Sequence, residues 1–315
     1  MKITSYFKNA GGLKMIKLYI SNHVLGYAIL LFLFIKKNRK GLELFRECIN
    51  AKIFNKLEKK YHKKVINYSK EISNSDTNTI EKRIWICWLQ GIEKAPEIVK
   101  TCYKSICAQC HDFEIILLTE KNLFEYTNIP DFIINKWKAG IITNTHFSDI
   151  IRNNVLVLHG GFWIDSTVLL TSRIPSDIQK SSLFLFKTYK PGCDGKFVSI
   201  SSWFLGACKM NPVFLLSQKL LWDYWKKATY LCDYFLFHDF LQMSLNHYVY
   251  LDLKIPKYSN ETPHFMLFEL ENEFDPIKFE SYKNQSFAHK LTYKLKEGIE
   301  QNPNCTYRKV IKLYE

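Results

Sequence analysis

Residues 159–168 read His-Gly-Gly-Phe-Trp-Ile-Asp-Ser-Thr-Val and predict the end of a helix, a strand and a turn in succession. Its apolar run, Phe162–Ile164, predicts a short buried strand because turn signals bound it on both sides. Gly160 and Gly161 predict the end of a helix, since glycine has no Cβ to resist a left-handed backbone. Asp165 follows the strand directly. Its carboxylate is therefore expected at the carboxyl end of that strand, where open α/β sheets bind ligands.

The residues before the two glycines predict a helix from His146 to Leu158, because apolar side chains recur there at helical spacing. Asp149 and Arg152 are three positions apart, so both project from one face of this helix. We expect that face and Asp165 to meet the same ligand.

Two further strands are predicted upstream, at Arg83–Trp88 and Phe113–Leu118, with a helical pattern from Glu97 to Cys107 between them. A strand, a helix and a strand in succession indicate a βαβ unit and hence a parallel sheet. Trp88, at the end of the first strand, offers a flat face for a nucleobase. We predict an α/β fold with a mostly parallel central sheet, preceded by N-terminal helices. The sequence contains no Walker loop and no Gly-x-Gly-x-x-Gly, which argues against an ATP hydrolase or a dinucleotide-binding protein.

The chain of 315 residues carries a net charge of +14, but the excess lies at its beginning. Residues 1–35 contain four lysines and no acid, and residues 36–70 contain twelve basic against three acidic side chains. The remainder is close to neutral, so we do not expect a nucleic-acid partner.

The basic excess surrounds an uncharged segment, Leu18–Ile35, which is followed at once by a basic cluster (Lys36, Lys37, Arg39 and Lys40). Spanning a bilayer takes about 20 mostly apolar residues, so the length is borderline, and Ser21–His23 interrupt the segment. We expect a helix in or on a membrane, with its basic flank on anionic lipid. The alternative is a buried helix of the globular domain. No small-residue cleavage site follows, which argues against a signal peptide.

The predicted organisation has three parts: residues 1–40 form the membrane-associated helix with its basic flank, residues 41–79 form basic amphipathic helices and a linker, and residues 80–315 form the α/β domain. The nine cysteines are odd in number and scattered, so a reducing compartment is expected rather than a disulfide framework. The domain is therefore expected on the cytoplasmic side of the membrane.

A carboxylate at a strand end, beside an arginine, suits a ligand that carries a metal-bound diphosphate. Mg²⁺ and Mn²⁺ prefer oxygen ligands and bind through one or two carboxylates plus the phosphates of the substrate. Such a metal stabilises the negative charge that grows on a departing diphosphate. Asp149 is positioned to accept hydrogen bonds from sugar hydroxyls.

Three stretches together closely resemble the bacterial capsular polysaccharide synthesis protein family: Ile84–Gly91, His146–Arg152 and His159–Val168. That family is similar in turn to the DXD-type sugar transferases of glycosyltransferase family 32 and to the large clostridial glucosylating toxins. The resemblance extends through Ile200–Phe204 and Asp233–His238. It implies a GT-A-type, Rossmann-like nucleotide-sugar-binding domain, a nucleotide-sugar donor and a divalent metal, Mn²⁺ or Mg²⁺.

Carried over by position, the resemblance implies that Trp88 stacks on the nucleobase. It implies that Asp149 and Arg152 hold the donor sugar and its phosphate, with Ser166 next to them. The acceptor, a growing capsular or lipopolysaccharide-type glycan or a lipid-linked glycan, is expected beside residues of two later segments (Trp203, Asp233, His238 and Asp239). Transfer at the bacterial inner membrane with retention of configuration is implied.

The same resemblance assigns the metal ligands. Asp165 opens the metal motif, but the second acidic position of that motif is Thr167 here, so the motif reads Asp-Ser-Thr. His264 is expected as a further ligand by loose analogy with related folds, and the alternative for it is an ordinary surface histidine.

Two other functions remain open. One is a phosphotransferase with Asp165 as its nucleophile, similar to haloacid-dehalogenase-like enzymes. The residue four positions on, Leu169, departs from that pattern. The other is a membrane-tethered pseudo-transferase that scaffolds polymer assembly, which the missing second acid suggests.

Overall fold

The computed structural model describes residues 12–72, 79–189 and 198–314. Its strands are β1 (Arg83–Cys87), β2 (Glu114–Leu118), β3 (Gly161–Ile164), β4 (Val168–Leu170), β5 (Leu183–Lys187), β6 (Ile200–Ala207) and β7 (Ala288–Lys290). Its first helices are α1 (Leu13–Ser21), α2 (Leu25–Phe34), α3 (Arg39–Lys70), α4 (Glu97–Gln109), α5 (Leu123–Tyr126), α6 (Asp131–Lys138) and α7 (Asn144–His159). The later helices are α8 (Ser176–Gln179), α9 (Pro212–Lys227), α10 (Leu236–His247), α11 (Val249–Asp252), α12 (Phe265–Glu269), α13 (Pro276–Gln285) and α14 (Thr306–Ile311).

Five strands form the central sheet in the order β2-β1-β3-β6-β5. Strand β1 is parallel to both β2 and β3, whereas β6 is antiparallel to its neighbours β3 and β5. Within this sheet, β6 therefore runs against the other strands, which confirms the predicted mostly parallel sheet. The carboxyl ends of β1, β2 and β3 meet at one edge, beside the first residues of β6. Asp165 lies at that edge.

The junction between α7 and β3 is made without a loop. The Thr143 hydroxyl caps the beginning of α7 by accepting a hydrogen bond from the His146 amide. The helix ends at Gly160, with φ of 67°, and Gly161 follows with φ of 99°. A Cβ at residue 161 would lie 2.6 Å from the backbone oxygen of Arg83, so only glycine allows β3 to approach β1 this closely.

Helix α7 is buried along most of its length, including two charged side chains. The exposed fractions of Asp149 and Arg152 are 7% and 5%. A buried charge is tolerated when it is paired and hydrogen-bonded. This helix therefore carries its ion pair inside the molecule rather than on a solvent-facing surface.

The uncharged segment Leu18–Ile35 is divided between α1 and α2 by a turn in which His23 has φ of 52°. The Lys56 ammonium of α3 donates to the backbone oxygens of Asn22 and His23. Val24 and Ala28 pack into the core, while much of α2 remains exposed. Across the described residues, none of the helices combines the length and apolarity needed to cross a bilayer.

Helix α3 packs on α9 and α10 through an apolar stripe that joins the main core (Phe45, Ile49, Ile53, Phe54, Leu57 and Tyr61). The amphipathic pattern predicted for residues 41–70 is therefore realised as one long helix. Residues 73–78, at the end of the segment predicted to contain the linker, lie outside the described residues. The N-terminal helices and the sheet share one hydrophobic core.

A second, two-stranded sheet pairs β4 with β7 in antiparallel fashion and places Val168 opposite Lys290. The Leu291 amide also donates to the Thr167 carbonyl at 2.8 Å. These bonds fix Lys290 beside the residues that follow β3.

Candidate active site

A cavity of about 430 Å³ opens at the carboxyl edge of the central sheet. It gathers most of the residues predicted from the sequence to contact the donor, the acceptor or a metal (Asp149, Arg152, Asp165, Trp203, Asp233, His238, Asp239 and His264). These residues come from helix α7, the end of β3, strand β6, the α9–α10 connection, the first turn of α10 and the turn before α12. The cavity therefore unites side chains that are distant in sequence.

A chain of alternating charges lines one wall of this cavity. Arg152 donates through Nη1 to Oδ1 of Asp149 at 2.7 Å and through Nη2 to Oδ1 of Asp165 at 2.9 Å. The Lys290 ammonium lies 3.4 Å from Oδ2 of Asp165. Asp165 is thus held between two cations, Arg152 and Lys290, both of which line the cavity.

Trp163 orients the same carboxylate. Its Nε1 donates to Oδ1 of Asp165 at 2.9 Å, and its ring lies 4.9 Å from the guanidinium carbon of Arg152. The ring thus packs against the cation while its N–H bonds the anion. This arrangement restricts the rotamers of both charged side chains.

His146 supports Asp149 from the opposite side. Trp225 donates through Nε1 to Nε2 of His146 at 3.0 Å, so the neutral ring carries its hydrogen on Nδ1, which is 3.6 Å from Oδ2 of Asp149. Burial would raise the pKa of Asp149, but the Arg152 guanidinium and the His146 ring outweigh that effect and hold the pKa below its ordinary value. Asp149 is therefore an anion at neutral pH.

The facing wall is aromatic and neutral. Trp203 donates through Nε1 to Oδ1 of Asn260 at 2.8 Å and stacks on Phe186. Nδ1 of His264 donates to the Asn260 carbonyl at 2.7 Å, and burial lowers the pKa of His264, so the ring is uncharged at neutral pH. This wall presents ring faces and amide groups of the kind that bind sugars.

Three titratable side chains close the cavity at the beginning of α10. Burial raises the pKa of Asp233 to about 6, and burial together with the Asp233 carboxylate raises that of Asp239 well above its ordinary value. Burial lowers the pKa of His238 to about 4. This group therefore has buried carboxyls that hold protons more tightly than usual, beside a neutral imidazole.

Trp88, Ser166 and Thr167 are not among the side chains that line the cavity. Trp88 packs edge-on against Tyr293 at a ring distance of 5.7 Å. Thr167 is buried, and its hydroxyl accepts a hydrogen bond from Lys290. The structure thus gathers the predicted donor-phosphate and acceptor residues but leaves the predicted base-stacking tryptophan outside the cavity lining.

The donor set of the predicted metal motif does not suit a divalent cation. Oδ1 of Asp165 already accepts from Arg152 and Trp163, and its Oδ2 and the Thr167 hydroxyl both face Lys290. Within the described part of the chain, no three His, Cys, Asp or Glu side chains are grouped so as to hold a metal ion. Mg²⁺ and Mn²⁺ need carboxylate oxygens that are not taken by other cations.

The sequence does not predict that several of the residues lining the cavity lie there. Lys290 is 123 residues from Thr167 and reaches it through the pairing of β7 with β4. Glu47 and Asn50 of α3 line the cavity although their helix was expected to be separate from the catalytic domain. Tyr234 and Phe235 expose their rings at the cavity. In the sequence, only their position directly after Asp233 indicates that Tyr234 and Phe235 lie near the predicted acceptor residues.

The model of a family described as capsular polysaccharide synthesis protein matches residues 34–311. Among solved structures, the chain is similar to a PaToxG glycosyltransferase, with 13% identity, 82% of this chain and 96% of that chain covered, and a TM-score of 0.35. It is also similar to a mutant transferase, with 10% identity, 55% of this chain and 88% of that chain covered, and a TM-score of 0.34. No curated protein sequence matches the chain.

Proposed function

The chain belongs to the capsular polysaccharide synthesis protein family, as its sequence motifs predict, and from this premise we propose that it is a glycosyltransferase with a nucleotide-sugar donor. The observation that carries the proposal is the charge chain of Asp149, Arg152, Asp165 and Lys290 along one cavity wall. Two cations at a strand end suit the diphosphate of an activated sugar.

In the proposed reaction, the bond between the anomeric carbon and the diphosphate oxygen breaks, and its electron pair leaves with the diphosphate. A hydroxyl of the acceptor glycan forms the new bond to the anomeric carbon, and its proton passes to the departing diphosphate. Arg152 stabilises the negative charge that develops on the leaving group. Asp149 binds hydroxyls of the donor sugar, and Asp165 holds Arg152 in place.

The acceptor is proposed to be a capsular or lipopolysaccharide-type glycan, free or lipid-linked. Trp203, Tyr234 and Phe235 provide ring faces on which sugars stack, and Asp233 and His238 provide polar atoms for acceptor hydroxyls. Retention of anomeric configuration is part of the proposal and is supported by the resemblance to the family 32 and toxin enzymes. The sequence predicts Mn²⁺ or Mg²⁺ at this site, but the oxygens of the motif contact Arg152, Trp163 and Lys290, and no step above depends on a metal.

We further propose that the protein works on the cytoplasmic face of the inner membrane, attached through α2. Four apolar side chains of that helix are well exposed (Ile29, Leu30, Leu33 and Phe34). The basic cluster follows them directly in the sequence. An exposed apolar face beside a basic cluster is the pattern of a segment that lies on anionic lipid.

The transferase proposal is tested by donor hydrolysis, in which water replaces the acceptor. Purified protein is incubated with UDP-, GDP- and CMP-activated sugars, and the released nucleotide is measured. Asp165→Asn is expected to reduce release on the order of 10²- to 10³-fold, because Arg152 loses the carboxylate that orients it.

Asp131→Asn is the matched control, since Asp131 is exposed in the first turn of α6 and does not line the cavity. It is expected to leave hydrolysis unchanged. Release of inorganic phosphate with a phosphorylated Asp165 would instead identify a phosphotransferase. Absence of turnover with every donor would favour the scaffolding function.

A further inference from the structure

Lys290 occupies the place that a metal ion is expected to hold next to Asp165. Its ammonium contacts Oδ2 of Asp165 at 3.4 Å and donates to the Thr167 hydroxyl. These are the first and third residues of the Asp-Ser-Thr motif, which are the positions that the family resemblance assigns to metal ligands.

The position of Lys290 is fixed by backbone pairing. Strand β7 pairs with β4, and the Leu291 amide donates to Thr167, so the backbone on either side of Lys290 is held against the end of the motif. Side chains alternate along a strand, and the preceding residue, His289, is fully buried. Lys290 consequently faces the cavity, with 22% of its side chain exposed.

The charges around Asp165 favour the Lys290 ammonium at this position over a divalent metal ion. Asp149 and Asp165 supply two negative charges, and Arg152 and Lys290 supply two positive charges, so the four groups are balanced. A divalent metal ion at Asp165 would have to displace the Lys290 ammonium or lie close to it. Two positive charges at that distance repel each other. A diphosphate, in contrast, is attracted by both cations.

We propose that Lys290, together with Arg152, performs the charge stabilisation for which related transferases are expected to use a metal ion, so that this protein binds the nucleoside diphosphate without a divalent cation. The inference rests on the proposed function. As the anomeric C–O bond breaks, its electron pair moves to the diphosphate oxygen, which the ammonium stabilises. The proton of the acceptor hydroxyl ends on the released diphosphate, and Lys290 keeps its own protons.

The test is nucleotide binding by full-length protein that has been stripped of metal with EDTA. UDP and GDP are titrated calorimetrically before and after addition of Mn²⁺. We expect one of these nucleotides to bind metal-free protein with an affinity that Mn²⁺ changes by less than about twofold.

Lys290→Met is expected to weaken that binding about 10- to 100-fold, the range typical of a charge-assisted hydrogen bond. Lys283→Met is the matched control. It removes the same charge from the same C-terminal region, where Lys283 pairs with Glu280 on the surface. It is expected to bind as the wild type does, and circular dichroism establishes that both variants are folded.

Binding that requires Mn²⁺ or Mg²⁺, or that is unchanged in Lys290→Met, would overturn the inference and leave the transferase proposal intact. Absence of nucleotide binding under every condition would overturn both. The two failures are therefore distinguished by the wild-type titrations alone.

Discussion

Arg152 is almost fully buried and is held by two carboxylates, an arrangement that is poorly explained by stability. Moving charges out of water costs several kcal/mol per ion, and a buried ion pair is often no more stabilising than packed apolar residues of similar volume. The position of Arg152 at the cavity therefore indicates a chemical role. Because its two N–H groups contact two different carboxylates, the planar guanidinium fits where an ammonium does not.

Arg152→Lys is accordingly expected to lower donor hydrolysis on the order of 10²-fold or more, because lysine keeps the charge but loses the two-sided contact. Turnover is measured with the donor that the hydrolysis panel identifies. Arg173→Lys is the control, since Arg173 forms an exposed pair with Asp112. Equal turnover in Arg152→Lys and wild type would show that Arg152 does not take part in the reaction.

Asp233 gives a prediction for the dependence of stability on pH. Its pKa is raised by burial from 3.8 to about 6, so the folded protein binds this proton more tightly than the unfolded chain does. The free energy of unfolding therefore falls as pH rises from about 4 to about 6, and the loss persists above that window. Asp233→Asn removes this loss and is expected to raise the free energy of unfolding at pH 7.5 on the order of 2 kcal/mol.

Urea denaturation at pH 5 and pH 7.5 measures this difference. The advantage of Asp233→Asn over wild type is expected to be larger at pH 7.5, while Asp131→Asn, at an exposed carboxylate, shows no such change. An advantage that is the same at both pH values would contradict the raised pKa. If Asp233→Asn is more stable than the wild type but transfers less sugar, the buried Asp233 carboxyl lowers stability for the sake of activity.

At the scale of single residues, sequence patterns predicted the convergence of Asp149, Arg152 and Asp165 because helical spacing and a strand end are local properties. Lys290 was not predictable in this way. It is one of 44 basic residues, and its place depends on a pairing between strands that are far apart in the chain. The side chain of Trp88 likewise follows tertiary packing, against Tyr293, rather than its position in the motif.

At the scale of elements, the junction of α7 and β3 determines how the site is assembled. The two glycines allow the strand to begin one residue after the capping Gly160 ends the helix, so Arg152 and Asp165 are carried by one continuous helix–strand unit. Sites supported on helices and strands are held more accurately than sites on loops.

Gly161→Ala is expected to destabilise the protein by about 1–3 kcal/mol, because its φ is 99° and the added Cβ would lie 2.6 Å from the Arg83 backbone oxygen. Turnover is expected to fall as well, since β3 must shift. Gly26→Ala, which meets nothing within 4 Å in α2, is the control and is expected to be neutral or slightly stabilising. Thermal unfolding and donor hydrolysis are measured on both variants. If Gly161→Ala has the same stability and turnover as the wild type, the close approach of β3 to β1 is not needed.

The element bounds predicted from hydrophobic periodicity are accurate where the pattern is strong, as in α4 and α7. The sequence predicts one helix over the uncharged segment Leu18–Ile35, whereas the structure breaks it at His23. The break is stabilised by contacts from Lys56 and from Asn22, whose side-chain amide donates to the Cys232 carbonyl. Such long-range contacts leave no periodic signal in the sequence.

At the scale of the whole molecule, the net positive charge is concentrated at one end of the sequence. Almost all of the net charge of +14 belongs to the first 70 residues of the sequence. Exposed apolar residues of α2 lie at the same end of the sequence. The two features together underlie the proposed attachment to lipid.

The double variant Leu33→Ser/Phe34→Ser is expected to reduce flotation of the full chain with anionic vesicles at least tenfold, because it removes two side chains that are 66% and 82% exposed. Ile277→Ser is the control, since Ile277 is also 82% exposed but lies on α13. Binding of the wild type is expected to weaken in high salt and in zwitterionic vesicles. Wild-type protein that remains unbound in low salt would exclude this attachment.

Helix α3 runs without interruption from the basic cluster to the cavity wall, where Asn50 lies eleven residues beyond Arg39. At about 1.5 Å per residue, that separation is roughly 16 Å along the axis. A surface that holds the first turn of α3 therefore lies at a fixed distance from the cavity. If sugars are joined in this cavity as proposed, that distance sets the minimum length of the carrier on which the acceptor glycan reaches it.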